Sequence, residues 1–149
     1  MALAPTAPLS LVPVDGSTES MRAVEAAIQM AGAHPGSALV LFNAQSPINA
    51  EAPMGEVFVS RSLELLEQQR IAQSALQPAI ELCQMSQTAY EVRKGTGPPA
   101  ALIVKVASEE KADQIVMGTS SEALLAGRWR RSLSSQVIEQ ASIPVTVIK

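Results

Sequence analysis

The amino-acid sequence predicts an α/β fold, in which a parallel sheet is covered by helices on both faces. Five short apolar segments alternate with four segments whose apolar residues recur at helical spacing. Strands that alternate with helices are joined by right-handed crossovers and lie parallel in one doubly wound sheet. A length of 149 residues suits one domain. We therefore expect a single domain over residues 1–149, in which residues 1–8 form a flexible N-terminal extension.

The first strand is predicted at Leu9–Val14, an apolar run that ends at Asp15-Gly16-Ser17. A helix follows this turn, because apolar residues recur on one helical face at Met21, Val24, Ile28 and Ala31. Ser17 or Thr18 can cap its N-terminus through a side-chain oxygen. A cluster of glycine and proline that begins at Gly32 ends the helix.

The second strand is predicted at Ala38–Ala44, and the next helical pattern extends from Ser60 to Met85. The apolar positions of that pattern are Leu65, Ala72, Leu76, Ala79 and Cys83. We expect Pro78 to kink or split this helix, because proline lacks an N–H group and clashes with the preceding turn.

Three further strands and two helices complete the chain. The third strand is predicted at Ala89–Arg93, with a turn at Gly95–Pro99, and the fourth strand at Gln114–Met117. The helix between them is marked by Ala100, Ile103, Val104 and Ala107. Residues 118–131 form a connection, and Pro144–Ile148 is the last strand. The helix before that strand is marked by Leu133, Val137 and Ala141.

The composition argues against several classes of function. A net charge of −3 gives no general attraction to nucleic acid or anionic membranes. Met1–Pro8 contains no basic residue, and no segment reaches the ~18 apolar residues of a membrane span. We therefore expect a cytoplasmic protein without a membrane or nucleic-acid partner. The one dense basic segment, Arg128-Trp129-Arg130-Arg131, suits a solvated loop, an anion site or a partner-binding patch.

No catalytic or metal site is predicted. Cys83 is the one cysteine and lies in an apolar helical pattern, so we expect it to be buried. His34 is the one histidine and lies at a helix end, where we expect a structural or exposed role. Because these residues form neither a Ser-His-acid set nor a Cys-His pair, we expect the protein not to be an enzyme.

Two polar turns follow predicted strands, and ligands of open α/β sheets bind beyond the carboxyl ends of strands. These turns are Val14–Ser17 and Met117–Ser121. Ser132 opens the last helix, whose N-terminus favours an anion. Each feature also has a structural interpretation: Asp15 and Ser132 can cap a turn or helix, and Gly118 can supply an unusual φ angle.

Four segments, in the expected order along the chain, resemble motifs of the universal stress protein family: Pro13-Val14-Asp15-Gly16-Ser17, Gly95 with Pro98, Ala112–Gly118 and Ile143-Pro144-Val145. The resemblance covers nearly the whole chain. It implies a five-stranded sheet in the order 3-2-1-4-5, of the adenine nucleotide alpha hydrolase-like type. Both polar turns would then flank the point where the strand order reverses.

In ATP-binding members of this family, strand four is followed by a glycine motif. The motif consists of G-x-x-G, then nine residues of any type, and then G-S or G-T. Gly118 and Ser132 match its first and last positions, whereas Ser121 and Arg131 replace its other two glycines. Glycine lets backbone amides approach a phosphate. The resemblance therefore implies a degenerate phosphate side of the pocket.

The nucleoside side is more complete. The resemblance implies that Asp15 contacts the ribose and that the backbone at Ala44 contacts adenine. It also implies that Met117 and Gly118 line the nucleoside. The last helix would offer amides to phosphate. The full set expected at the site is Pro13, Asp15, Ala44, Met117, Gly118, Thr119, Ser121, Arg131, Ser132 and Leu133.

The resemblance implies a stress-response module that regulates or interacts with other molecules and has weak or lost ATP binding. ATP or AMP is the candidate ligand. The alternative is a nucleotide-binding switch in which the arginine-rich loop binds phosphate. The family also implies a homodimer through Pro144–Ile148. This apolar strand would be a sheet edge, which invites pairing with a second chain.

Overall fold

The computed structural model describes residues 7–45, 57–119 and 132–149. The described helices and strands, in chain order, are β1 Leu9–Pro13, α1 Thr18–Gly32, β2 Ala38–Gln45, α2 Val57–Met85, β3 Ala89–Thr96, α3 Pro99–Glu109, β4 Gln114–Gly118, α4 Leu133–Gln140 and β5 Val145–Ile148. All five strands pair in parallel in the order β3-β2-β1-β4-β5. The predicted fold class and strand order are confirmed.

The sheet separates two apolar layers, because successive residues of a strand point to opposite faces. Leu11 of β1 belongs to the layer that contains Ile103 of α3 and Val137 of α4. Its neighbour Val12 belongs to the layer that contains Val24 of α1 and Leu76 of α2. Helices α3 and α4 thus cover one face of the sheet, and α1 and α2 cover the other.

Several boundaries differ from the predicted ones. Helix α2 begins at Val57 rather than at Ser60, and it continues through Pro78 without splitting. Pro78 is exposed, whereas its neighbours Leu76 and Ala79 are buried, so the helix is held to the sheet on both sides of the proline. Strand β3 extends to Thr96 and takes in two residues that the sequence assigned to a turn.

The remaining boundaries agree within one residue. Strand β1 ends at Pro13, β4 extends to Gly118, and β5 begins after Pro144. Cys83 is buried, and burial raises the pKa of its thiol to about 11. His34 is exposed just beyond the end of α1.

The described parts of the chain contain no helix long and apolar enough to span a bilayer. Within the same ranges, no group of three or more His, Cys, Asp or Glu side chains could hold a metal ion.

Candidate functional site

A cavity of about 380 Å³ lies at the carboxyl end of the sheet, where β1 and β4 are neighbours. β2 and β3 lie on one side of β1, and β4 and β5 lie on the other, so the strand order reverses here. The described lining residues are Pro13, Val14, Asp15, Ser17, Glu19, Ser20, Phe42, Ala44, Pro99, Ile103, Met117, Gly118, Thr119, Ser132, Leu133 and Ser134.

Eight of the ten residues expected at the site line this cavity, and they are Pro13, Asp15, Ala44, Met117, Gly118, Thr119, Ser132 and Leu133. Ser121 and Arg131 lie outside the described residues, as does the rest of the basic segment 128–131. The structure therefore brings the two polar turns and the start of α4 to one cavity. The role of these residues in ligand binding stays a prediction.

The carboxylate of Asp15 lies at the rim of the cavity and organises the turn between β1 and α1. Its Oδ1 accepts a hydrogen bond from the Ser17 N–H at 2.9 Å, and its own N–H donates to the Ser20 Oγ at 3.4 Å. Partial burial acts to raise the pKa of Asp15, but hydrogen bonds from Ser17 and Ser20 outweigh it and lower the pKa overall. Asp15 is thus ionised at neutral pH and can accept further hydrogen bonds.

The helix cap of α1 is Ser17, not Asp15. The Ser17 Oγ accepts a hydrogen bond from the Ser20 N–H at 3.1 Å. Gly16 has a φ angle of +85°, and a Cβ atom there would lie 3.4 Å from the Cα of Ala75 in α2. Glycine permits both the left-handed conformation and this close packing of the turn against α2.

Position 118 requires glycine because a side chain there would clash with a neighbouring element, not because of its φ angle. It ends strand β4 and is not among the residues with positive φ. A Cβ at this position would lie 2.5 Å from the carbonyl carbon of Glu19 and 3.0 Å from the Glu19 Cβ. The unusual-φ interpretation is therefore wrong, and the absence of a side chain lets the first turn of α1 pack against the end of β4.

The N-terminus of α4 faces the same cavity. Ser132 is its N-cap, because the Ser132 Oγ accepts a hydrogen bond from the Ser135 N–H at 3.2 Å. The Ser134 Oγ donates to the Oγ1 of Thr119 at 3.4 Å and so links α4 to the residue after β4. The first-turn N–H groups of a helix have no partner within the helix and favour an anion. Because the cap takes the Ser135 N–H, an anion at this helix end would meet the N–H groups of Leu133 and Ser134.

Sequence reasoning missed part of the lining. Outside the expected set, the cavity is also lined by Val14 and Ser17, which belong to the first predicted polar turn, and by Glu19, Ser20, Phe42, Pro99, Ile103 and Ser134, which the sequence did not indicate. Glu19, Ser20 and Ser134 lie in the first turns of the two helices that start at the cavity, and extending each predicted helix start by one turn would have included them. Phe42 and Ile103 are buried core residues, and nothing in their apolar patterns distinguishes them from the rest of the core.

Comparison with known proteins agrees with this architecture. The family model described as the universal stress protein family matches residues 11–149. The chain is 29% identical over 138 residues to the universal stress protein Rv1636 of Mycobacterium tuberculosis, and the match covers 93% of each chain.

Solved structures share the fold. A universal stress protein in complex with cAMP has a TM-score of 0.68 at 22% identity, covering 97% of this chain and 99% of the other. A universal stress protein family protein from Arabidopsis thaliana with AMP bound has a TM-score of 0.67 at 18% identity, covering 95% and 91%. The fold, the strand order and the match over residues 11–149 agree, and the chain belongs to the universal stress protein family.

Proposed function

We propose that the cavity binds the nucleoside part of an adenine nucleotide, and that the protein is a stress-response regulatory module with weak ATP binding. The observation that carries this proposal is the convergence of eight expected residues on one cavity at the reversal of strand order. A volume of about 380 Å³ is within the usual range for small-ligand sites. The structural relatives that hold cAMP and AMP support an adenine ligand.

The walls of the cavity suit a nucleoside. Pro13, Pro99 and Leu133 offer partly exposed apolar surface to a purine, and Ala44 places the backbone of β2 at the cavity. The buried Phe42, Ile103 and Met117 complete the apolar lining. The ionised Asp15 offers a hydrogen-bond acceptor for the ribose hydroxyl groups. Among the described lining residues, no histidine, cysteine or lysine accompanies the serines, which favours binding over catalysis.

The phosphate side is less favourable for a triphosphate. Asp15 and Glu19 place two carboxylates at the cavity, and the described lining includes no Lys, Arg or His to balance them. Ser121 and Arg131 replace two of the three glycines of the family motif, so we expect backbone amides at those positions to approach phosphate less freely. We therefore expect ATP to bind no more tightly than adenosine.

Calorimetric titration of adenosine and ATP against wild type, Ser121→Gly and Arg131→Gly tests this proposal. Restoring either glycine is expected to tighten ATP binding by about tenfold (~1.4 kcal/mol) and to leave adenosine binding unchanged. Adenosine is the internal control, because it has no phosphate to contact residues 121 and 131. Failure of wild type to bind either ligand at millimolar concentration would refute the nucleotide proposal.

A second candidate function is a nucleotide switch in which arginine binds the phosphates. It is favoured by three arginines among residues 128–131, directly before Ser132 at the mouth of the cavity. The same titration separates the two candidates. If the arginine loop binds phosphate, Arg131→Gly weakens ATP binding instead of tightening it, and wild-type affinity for ATP falls steeply with salt.

We also propose a homodimer in which the β5 edges of two copies meet. β5 is the last strand of the sheet and pairs with β4. The carbonyls of Pro144 and Ile148 accept hydrogen bonds from β4 and the residue after it, both at 3.0 Å. Since alternate residues of a strand face the same neighbour, Val145 and Val147 direct their N–H and C=O groups away from β4. A second copy of this strand would satisfy those groups.

A further inference from the structure

Asn43 is a buried polar residue in an otherwise apolar strand. Its side chain is 3% exposed, within the run of β2 that also contains Leu41 and Phe42. Both ends of its amide are used: Nδ2 donates to the Val14 carbonyl oxygen at 2.8 Å, and Oδ1 accepts from the Gln45 Nε2 at 3.1 Å. A buried amide is costly unless it is hydrogen-bonded, and here the two hydrogen bonds that offset this cost also tie other parts of the chain to Asn43.

The Asn43 amide holds the turn that presents Asp15. Val14 directly precedes Asp15, and its N–H donates to the Phe42 carbonyl at 2.8 Å while its C=O accepts from Asn43. The peptide group that leads into Asp15 is therefore anchored to β2. The anchor continues to α2, because the Gln45 Nε2 also donates to the Gln68 carbonyl at 2.9 Å.

The other side of the turn is also confined. Gly16 packs against Ala75 of α2, and the Asp15 carboxylate accepts the Ser17 N–H. With the backbone before Asp15 anchored by Asn43 and the backbone after it packed on α2, the carboxylate has a defined position at the cavity rim. A hydrogen-bond acceptor discriminates between ligands more strongly when its position is fixed before binding, because no ordering cost then offsets the bond.

We propose that Asn43 is a positioning residue that gives the cavity its preference for ribose over 2′-deoxyribose, acting through Asp15. The inference rests on the proposed binding of an adenine nucleoside. A hydroxyl that donates to a charged carboxylate contributes a strong hydrogen bond, and its loss leaves the carboxylate without that partner. Wild type therefore prefers adenosine to 2′-deoxyadenosine, on the order of tenfold.

The test is the ratio of the two affinities, measured by calorimetric titration. Asn43→Leu, which removes the amide and keeps the bulk, reduces the ratio to that of Asp15→Ala, within about twofold of unity. A merely destabilised protein would not show this change, because both ligands bind the same folded fraction. Ser10→Ala is the matched control: this buried hydroxyl of β1 accepts from the Gln114 Nε2 at 3.0 Å, and its loss leaves the ratio unchanged.

A second variant covers the case in which Asn43→Leu does not fold. Asn43→Asp retains the size of the side chain and loses the amide donor, and it is expected to lower the ratio in the same direction. Retention of the wild-type ratio by a folded Asn43 variant overturns the inference. Equal wild-type affinities for the two nucleosides overturn it as well but leave nucleoside binding standing, whereas absence of all binding refutes the proposed function itself.

Discussion

Gly118→Ala is expected to destabilise the protein by crowding the contact between β4 and α1. The added Cβ would lie 2.5 Å from the carbonyl carbon of Glu19, whereas carbon atoms pack favourably at about 3.5–4.0 Å. The two backbones would have to separate by about 1 Å. Neither backbone is free to do so, because Met117 precedes Gly118 in the core and Ser20 follows Glu19 in a buried position.

The cost follows from this geometry. Overpacking of a well-packed interior typically costs about 1–3 kcal/mol, and contact between two backbones is at the upper end because no flexible side chain can move aside. We expect a loss of about 3 kcal/mol in the free energy of unfolding, which lowers Tm by roughly 6–12 °C for a chain of this length. Urea denaturation followed by circular dichroism measures the loss directly through the change in midpoint at constant slope.

Gly32→Ala is the matched control. A Cβ at Gly32 would meet no atom within 4 Å, and Gly32 has no positive φ angle. Because alanine favours a helix, this variant is expected to be neutral or stabilised by up to about 1 kcal/mol. If the free energy of unfolding of Gly118→Ala were within about 0.5 kcal/mol of the wild-type value, the close contact with Glu19 would not be the reason that glycine is required at this position.

Two further predictions concern the sheet edge and the Asp15 turn. Val147→Pro removes an N–H that points away from β4 and that a second copy of β5 would bind. Light scattering should show a folded monomer for this variant at tens of micromolar, where wild type is dimeric. A variant that is folded and still dimeric would contradict pairing through the β5 edge. Because the pKa of Asp15 is lowered by folding, its stabilising contribution is present above the ordinary aspartate pKa and is lost as the pH falls through the lowered value. Wild type should therefore be more stable than Asp15→Asn at pH 7, by less than about 1 kcal/mol because the side chain is exposed. The difference in the free energy of unfolding should vanish in strong acid. A difference that stays constant with pH would exclude this linkage.

The order of elements could be predicted from the sequence because each strand and helix has its own periodicity. The run Ala38–Ala44 is apolar on both faces, as a central parallel strand requires, and β2 lies between β1 and β3. The continuity of the helix through Pro78 could not be predicted from local rules. Its helix is held by burial of residues on either side, which is a tertiary effect that outweighs the local preference of proline.

The candidate site could be predicted from two sources: the polar turns pointed to Asp15 and to residues 117–119, and the family resemblance added Pro13, Ala44 and Leu133. Asp15 and Ser132 follow or precede regular elements, and their position at the carboxyl edge of the sheet follows from the topology. The steric need for glycine at position 118 could not be predicted from the sequence, because it arises where the packing of α1 on β4 brings Glu19 close to Gly118. Asn43 was passed over as one polar residue in an apolar run, and its partner Val14 is separated from it by 29 positions.

Gly118 and Asn43 shape the part of the cavity that we propose binds the nucleoside. Gly118 admits the backbone of Glu19, and Asn43 anchors the backbone of Val14, so both act within the sheet and the elements packed directly on it. In the sequence, Ser121 and Arg131 follow β4 and precede α4, and both lie outside the described residues. If these two residues contact phosphate as the family motif implies, we expect their substitution to change ATP binding and to leave the Asp15 turn, which Asn43 and Gly16 hold, in place. On this proposal, nucleoside binding depends on the described framework, and ATP binding depends in addition on residues 121 and 131, so the glycine variants at those two positions are expected to change the affinity for ATP alone.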